Sequence, residues 1–234
     1  MNPSRPPQVS VVIPALNEEE PIGDVVRAVI ATNIPREVIV VDNGSTDRTA
    51  ERARAAGARV VAAARGYGRA CAAGVAAAAP ESDIIAFLDG DGSDCAELLP
   101  EIVQPILDGK HDFVIGSRTR GERERGSMNL QQIASGRAAG LLLRMLYGVS
   151  YTDMCPFRAI RRDALEKLAM KEQTYGWNLE MQMRAARAGL RILEVPVKHR
   201  CRTGGESKVS GTLRGTFVAG SRILSTLLRV AAER

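Results

Sequence analysis

Aromatic residues are scarce in this chain, which has one tryptophan, four tyrosines and four phenylalanines among 234 residues. A surface that holds nucleic acid by base stacking needs more rings than this, and no known nucleic-acid module signature is present. The net charge of +5 is therefore read as suiting an anionic small substrate or a membrane surface, with no nucleic-acid partner. The four cysteines (Cys71, Cys95, Cys155 and Cys201) stand far apart with no C-x-x-C pair. That spacing argues against a zinc module or a disulfide framework and reads as free thiols in a reducing compartment. His111 and His199 are isolated and are given no catalytic role. Long apolar runs are missing too: Arg144, Arg222 and Arg229 interrupt the candidates, and none approaches the roughly 20 residues of a spanning helix. The first residues, Met-Asn-Pro-Ser-Arg-Pro-Pro, lead into a strand without the apolar core of a signal peptide, so the expected location is cytoplasmic. There is no Walker loop and no nucleophile elbow. Gly66-Tyr67-Gly68 is half of a dinucleotide fingerprint, but Cys71 stands at the third glycine position. No repeat, low-complexity tract or linker divides the chain.

What is present alternates. Val9 to Ile13, Val38 to Val41, Arg59 to Ala63, Ile84 to Leu88 and Phe113 to Ile115 are short apolar runs of the kind that form buried parallel strands. Between them lie helical patterns, the clearest being Ile22, Val25, Val26, Val29 and Ile30 behind Pro21. Strand and helix in alternation predict an α/β fold with a mostly parallel central sheet and helices on both faces. The second half adds a charged loop over 119–129, an apolar helix from about Leu130 to Tyr147, and a strand within Asp153 to Ile160. Two more helices, a strand from Ile192 to Val195, a basic loop over Lys198 to Lys208 and a last amphipathic helix complete the pattern.

The strand from Ile84 ends in Asp89-Gly90-Asp91-Gly92-Ser93. Two carboxylates two residues apart, at the carboxyl end of a parallel strand, can point at one divalent cation shared with substrate phosphates. The same letters also describe a plain turn. An EF-hand is excluded, because Asp94 and Pro100 occupy the positions that need Gly and Glu. Asn17, Glu18 and Glu19 follow the first strand, and Asp42 follows the second. Three strands delivering polar groups to one edge are harder to explain by turns alone. For Glu18 and Glu19 the other reading is a favourable charge at a helix N-terminus, and for Asp42 a turn.

The segments Val-Val-Ile-Pro-Ala-Leu-Asn-Glu-Glu-Glu, Val-Ile-Val-Val-Asp-Asn-Gly-Ser-Thr-Asp, Phe-Leu-Asp-Gly-Asp and Ile-Gly-Ser-Arg, in this order, resemble family 2 glycosyltransferases of the GT-A fold. The resemblance runs from about residue 9 to residue 210. The segments Tyr-Thr-Asp-Met-Cys-Pro-Phe-Arg-Ala-Ile-Arg-Arg and Gly-Gly-Glu-Ser-Lys-Val-Ser-Gly-Thr are similar to the polyprenyl-phosphate hexose synthase branch, which includes dolichyl-phosphate mannose synthases. The resemblance implies one GT-A domain over 1–211, with a donor half at about 9–118 and an acceptor half at about 119–211, followed by a C-terminal amphipathic helix over 212–234.

It implies an inverting transfer of a hexose from a nucleotide-diphosphate sugar, of the GDP-mannose or UDP-glucose type, to a polyprenyl phosphate. A soluble sugar or phosphoglycerate acceptor, or a nucleotidyltransferase, is the alternative. Pro14, Leu16, Asn17, Glu18 and Asp42 are then expected around the nucleotide. Asp89 and Asp91 match the family's D-x-D motif for Mg²⁺ or Mn²⁺, with Ser93 as a further ligand, directly or through water. Arg118, Ser135, Arg202, Ser207 and Lys208 fall where this branch contacts phosphates of donor or acceptor, and the basic loop reads as a lid. Glu180 is the expected general base, or an orienting group if the acceptor is an already anionic phosphate. Asp153 is expected to position the acceptor or to cap the segment before Pro156. Trp177 faces the sugar or the core. The last helix sets Phe217, Val218, Leu224, Leu227 and Leu228 among Arg214, Arg222 and Arg229, for contact with anionic lipid or for packing on the domain or on a second copy in a homodimer.

Overall fold

The structure, a computed structural model, describes residues 5–204 and 225–233. Its centre is the strand β1 (Val9–Ala15), buried along its whole length. β1 pairs in parallel with β2 (Glu37–Asp42) on one side and β4 (Ile84–Phe87) on the other. β3 (Arg59–Ala62) extends the sheet beyond β2. Among the described residues the sheet has seven strands in the order β3-β2-β1-β4-β6-β5-β7, with β5 at Phe113–Ser117, β6 at Arg158–Arg161 and β7 at Ile192–Pro196. All pairings are parallel except those of β6, which runs antiparallel between β4 and β5.

The chain leaves β1 for β2 and β3 on one side, then crosses to β4 on the other, so a crevice opens at the carboxyl ends of β1 and β4. Pro14 shows how the crevice is made. Its pairing partner is Val41 of β2, while the β4 pairing stops at Val12, so the missing proline N–H falls where β4 has already ended.

Helices cover both faces. α1 (Ile22–Ala31) buries Ile22, Val25, Val26 and Val29 on the sheet, each contributing about 1.5–3 kcal/mol. Ile30, expected on the same face, lies exposed at its rim. α2 (Thr49–Ala55), α3 (Tyr67–Ala77) and α4 (Leu99–Leu107) complete the donor half.

In the second half, α5 (Leu130–Tyr147) starts in a capping box, with Asn129 Oδ1 accepting from the Gln132 amide and Gln132 Oε1 from the Asn129 amide. A Cβ at Gly140 would lie 1.9 Å from the Tyr151 carbonyl oxygen, so only glycine lets α5 sit this close to the 151–153 segment. α6 (Arg162–Leu168) and α7 (Trp177–Arg187) follow. Trp177 is buried in the hydrophobic core.

Of the expected C-terminal helix, residues 225–232 are described as α8. It turns Thr226 and Val230 inward and leaves Leu228 exposed. Of the two readings of this helix, Arg229 follows packing on the domain: it bonds Glu180 Oε1 at 2.9 Å and Glu172 Oε2 at 3.2 Å. Arg214, Phe217, Val218, Arg222 and Leu224 of that expectation, and Ser207 and Lys208 of the basic loop, lie outside the described residues.

Candidate active site

Three loops meet at the crevice. The loop after β1 carries Asn17, whose backbone adopts the left-handed region (φ 53°) that asparagine tolerates better than most residues. Its Oδ1 accepts from the Thr46 amide at 2.8 Å, and its own amide donates to Ser45 Oγ at 3.0 Å. Asn17 thus ties the loop after β1 to the loop after β2. In that second loop Asp42 Oδ1 accepts from the Ser45 amide at 2.9 Å, so the turn reading and the edge placement hold together. Leu16 is half-buried and Pro14 buried beside it.

The third loop carries Asp89 and Asp91. Asp91 Oδ1 accepts from the Ser93 amide at 3.0 Å and from Ser93 Oγ at 2.6 Å. Ser93, expected as a metal ligand, here orients Asp91 with its proton. Asp89 Oδ1 accepts from the Tyr67 hydroxyl at 3.1 Å, and its amide donates to Asp94 Oδ2 at 3.1 Å. Burial, then the neighbouring Asp94 and Asp91, push the Asp89 carboxyl well above the usual range. Burial and Asp89 likewise raise the Tyr67 hydroxyl.

A concentration of like charge of this kind is relieved by a cation. No three carboxylate, histidine or cysteine side chains among the described residues converge to hold one by themselves. Two aspartates suit an ion that completes its shell with diphosphate oxygens and water, as magnesium sites do.

The segment 199–204 lies across this loop. The Arg200 amide donates to the Ser93 carbonyl at 2.9 Å and the Thr203 amide to the Asp91 carbonyl at 3.2 Å. Gly92 makes room with φ +77°, and a Cβ there would lie 2.6 Å from Thr203 Oγ1. Arg202 reaches the carboxylates: Nη2 is 2.7 Å from Glu18 Oε1, and Nη1 is 3.9 Å from Asp91 Oδ2. His199, set aside in the sequence, is brought to 3.7 Å from Asp94 Oδ1. Neither the buried His199 Nδ1 nor Asp94 Oδ1 has a hydrogen-bond partner among the described residues.

Arg118, at the end of β5, is seated by Asp153. Asp153 Oδ2 accepts from the Arg118 amide at 2.9 Å and from Nε at 2.8 Å, and Oδ1 accepts from Nη2 at 2.8 Å. Arg118 Nη1 is left without a hydrogen-bond partner among the described residues. Burial disfavours the Asp153 charge, but the bonds and charge of Arg118 outweigh it and hold the carboxyl below its usual range. Burial also opposes the Arg118 charge, and the bond to Asp153 together with the neighbouring negative charges, Asp153 and Asp94 among them, more than compensates. The Arg118 charge in turn acts on Asp89 and Asp94, so the arginine of one half and the carboxylates of the other share one electrostatic neighbourhood.

Two expected residues take other parts. Glu180 is fully buried, and both its oxygens are engaged. Oε2 accepts from the amides of Lys171 (3.0 Å) and Glu172 (2.6 Å), and Oε1 from Arg184 (3.0 Å) and Arg229 (2.9 Å). A carboxylate held by two arginines and two amides ties together the segments that carry them, which suits the orienting role expected for Glu180 with an anionic acceptor better than that of a base. Ser135 Oγ donates back to the carbonyls of Gln131 and Gln132 at 2.8 and 3.1 Å, so its proton is spent inside α5 and not on a phosphate.

Tyr67, Asp94 and Thr203 were not singled out in the sequence. Asp94 follows the D-x-D pair by three positions and carried a readable signal. Tyr67 and Thr203 enter through tertiary packing.

Comparison with known proteins agrees with this geometry. Residues 10–169 match the family model described as glycosyl transferase family 2. A glycosyltransferase of Mycobacterium tuberculosis is 41% identical over 214 residues, covering 90% of this chain and 94% of that protein. The dolichyl-phosphate hexose transferase of Haloferax volcanii is 34% identical over 228 residues, covering 96% and 94%. Among solved structures, glucosyl-3-phosphoglycerate synthase from M. tuberculosis, in complex with Mn²⁺, UDP-glucose and phosphoglyceric acid, superposes with a TM-score of 0.77 at 26% identity. That match covers 96% of this chain and 80% of that one. The α/β sheet with its crevice at β1 and β4 is the GT-A arrangement, and the chain is a glycosyltransferase belonging to family 2.

Proposed function

We propose that this glycosyltransferase moves a hexose from a nucleotide-diphosphate sugar to a polyprenyl phosphate, with inversion at the anomeric carbon. The observation that carries the reading is that Arg118, seated by Asp153, lies within electrostatic reach of Asp89 of the Asp89–Asp91 pair and of the neighbouring Asp94. A diphosphate belongs at the Asp89–Asp91 pair and a phosphate-bearing acceptor at Arg118. In the transfer an acceptor phosphate oxygen bonds the anomeric carbon, the anomeric C–O bond to the diphosphate breaks, and its electron pair leaves with the nucleoside diphosphate.

Asp89 and Asp91 are the residues that would hold Mg²⁺ or Mn²⁺, which supplies charge neutralisation for the leaving diphosphate. Ser93 and Tyr67 keep the two carboxylates oriented. Glu18 and Asp91 keep Arg202 over the same place, where its guanidinium can turn to phosphate oxygens. Arg118, fixed by Asp153, receives the acceptor phosphate. The burial of Glu180 in ion pairs fits this acceptor, because a phosphate oxygen is already anionic at neutral pH and needs no general base. Pro14, Leu16, Asn17, Glu18 and Asp42 surround the nucleotide in this reading, and the enzyme works at the cytoplasmic face of a membrane.

A phosphoglycerate-type acceptor is the second reading. It is favoured by the superposition on a synthase crystallised with phosphoglyceric acid, and no helix among the described residues is long and apolar enough to cross a membrane. Purified protein with radiolabelled UDP-glucose or GDP-mannose and Mn²⁺ separates the two. Transfer of label to a short-chain polyprenyl phosphate supports the first reading. Label on phosphoglycerate alone overturns it.

A further inference from the structure

We infer that the outer face of α5 is a docking surface for an anionic lipid bilayer. The helix has two unlike faces. Inward, Gly136 and Gly140 lie against Tyr151, Thr152 and Asp153, so α5 rests directly on the segment that seats Arg118. Outward, Leu130, Leu141 and Met145 recur at helical spacing and are 85%, 61% and 76% exposed. Large apolar side chains this exposed on one helix mark a contact surface.

Charge selects the partner. Arg137 and Arg144 are exposed alongside the apolar stripe. From Arg125 to Thr152 the chain has no Asp or Glu, and the next carboxylate, Asp153, is buried and engaged with Arg118. An apolar stripe flanked by cations alone complements acyl chains beneath anionic headgroups. A second copy of this chain is a poorer fit, because two-fold pairing would bring the arginines of both copies together with no carboxylate on α5 to meet them. Arg118 is bonded to Asp153, in the segment on which the inner face of α5 rests. The inference goes beyond the choice of acceptor and does not require it.

The test is co-sedimentation of the full chain with vesicles of phosphatidylcholine alone or with phosphatidylglycerol added, neither containing polyprenyl phosphate. Wild type should pellet with the anionic vesicles and weaken as salt is raised. Leu141→Glu with Met145→Glu should reduce the bound fraction at least about tenfold, and Arg137→Gln with Arg144→Gln several-fold. Both variants should keep the wild-type melting temperature and the Mn²⁺-dependent stabilisation by nucleotide, since the altered side chains are exposed. Wild type that stays in the supernatant with anionic vesicles overturns the proposal, as do variants that bind like wild type. A wild-type dimer in sedimentation velocity that the Leu141/Met145 variant dissociates, without vesicle binding, would reassign the face to a second copy. Failure of transfer to polyprenyl phosphate with vesicle binding intact would count against the acceptor reading alone.

Discussion

The donor edge and the acceptor half use carboxylates in opposite ways. At the donor edge Asp42 and Asp91 are held by amides and hydroxyls two or three residues away. Such bonds fix direction without cancelling charge, so the carboxylates remain able to meet a cation. In the acceptor half Asp153 and Glu180 are held by arginines, and the charge is consumed in the holding. Asp153 and Glu180 are scaffold for their arginines, whereas Asp42 and Asp91, bonded chiefly to amides and hydroxyls, stay available for chemistry. Glu180 makes the sharpest test of this contrast. Glu180→Ala leaves Arg184 and Arg229 without their shared buried partner, although Glu172 and Glu233 still reach them, and it strands the amides of Lys171 and Glu172. The expected cost is roughly 3–5 kcal/mol of stability, read as a large fall in melting temperature. A variant that melts like wild type but has lost turnover would return Glu180 to catalysis.

Asp91→Ala tests the other side. Turnover should fall about 10²–10³-fold, the loss seen when a group that stabilises transition-state charge is removed. The ligand-free protein should melt close to wild type, because among the described residues the Asp91 side chain meets only Ser93 of its own loop and, at 3.9 Å, Arg202, and alanine keeps the backbone bond to Thr203. The stabilisation that nucleotide and Mn²⁺ confer together, about 2.7 kcal/mol at 100 times the dissociation constant, should disappear. Retained stabilisation would move the cation elsewhere.

Asp153→Asn blurs the two classes by keeping shape and removing charge. At neutral pH the lost charge-assisted bonds to Arg118 should cost about 1.5–3 kcal/mol. The acid limb gives the sign. Asp153 titrates below its usual value when folded, so its contribution is complete above about pH 4 and is lost as pH falls through the folded value. Wild type should therefore lose stability more steeply than the variant on acidification below that point. Asp112, held at about 2 chiefly by its bonds to Arg191, titrates alike in both proteins and cancels. Parallel acid limbs would mean that Asp153 is not the charge that Arg118 depends on.

How much of this was legible in the sequence follows the same division. Strand-end motifs are local, and Asp42, Asp89 and Asp91 stand where their spacing places them, because a parallel strand delivers its next residues to one edge. The apolar helix expected from about Leu130 to Tyr147 is α5, with those bounds. The antiparallel direction of β6 was not legible, since a four-residue strand carries no mark of which way it runs. Nor was the capture of Glu180. Its partner Arg184 lies one turn away on the same helix, but Arg229 and the two amides come from segments that only the fold brings together. His199 was passed over for the same reason. Nothing near it in the chain announces Asp94.

Tyr67 is the place where the contrast can be sharpened most finely. It stands on α3, outside the D-x-D loop, yet its hydroxyl is bonded to Asp89 at 3.1 Å. If donor-edge carboxylates are oriented without being neutralised, removing this one hydroxyl should loosen the cation and little else. For Tyr67→Phe the Mn²⁺ dissociation constant, titrated in the presence of UDP or GDP, should rise about tenfold, the low end for loss of a group that orients a metal ligand. The ring stays, so the melting temperature should hold, and turnover at saturating Mn²⁺ should change by less than about twofold. A lost hydroxyl that merely packed α3 against the sheet would do the reverse, lowering the melting temperature while leaving the Mn²⁺ titration where it was. The bond would then be a structural contact, and the rule drawn from Asp42 and Asp91 would not extend to Asp89, whose carboxyl burial and then Asp94 and Asp91 push well above its usual range.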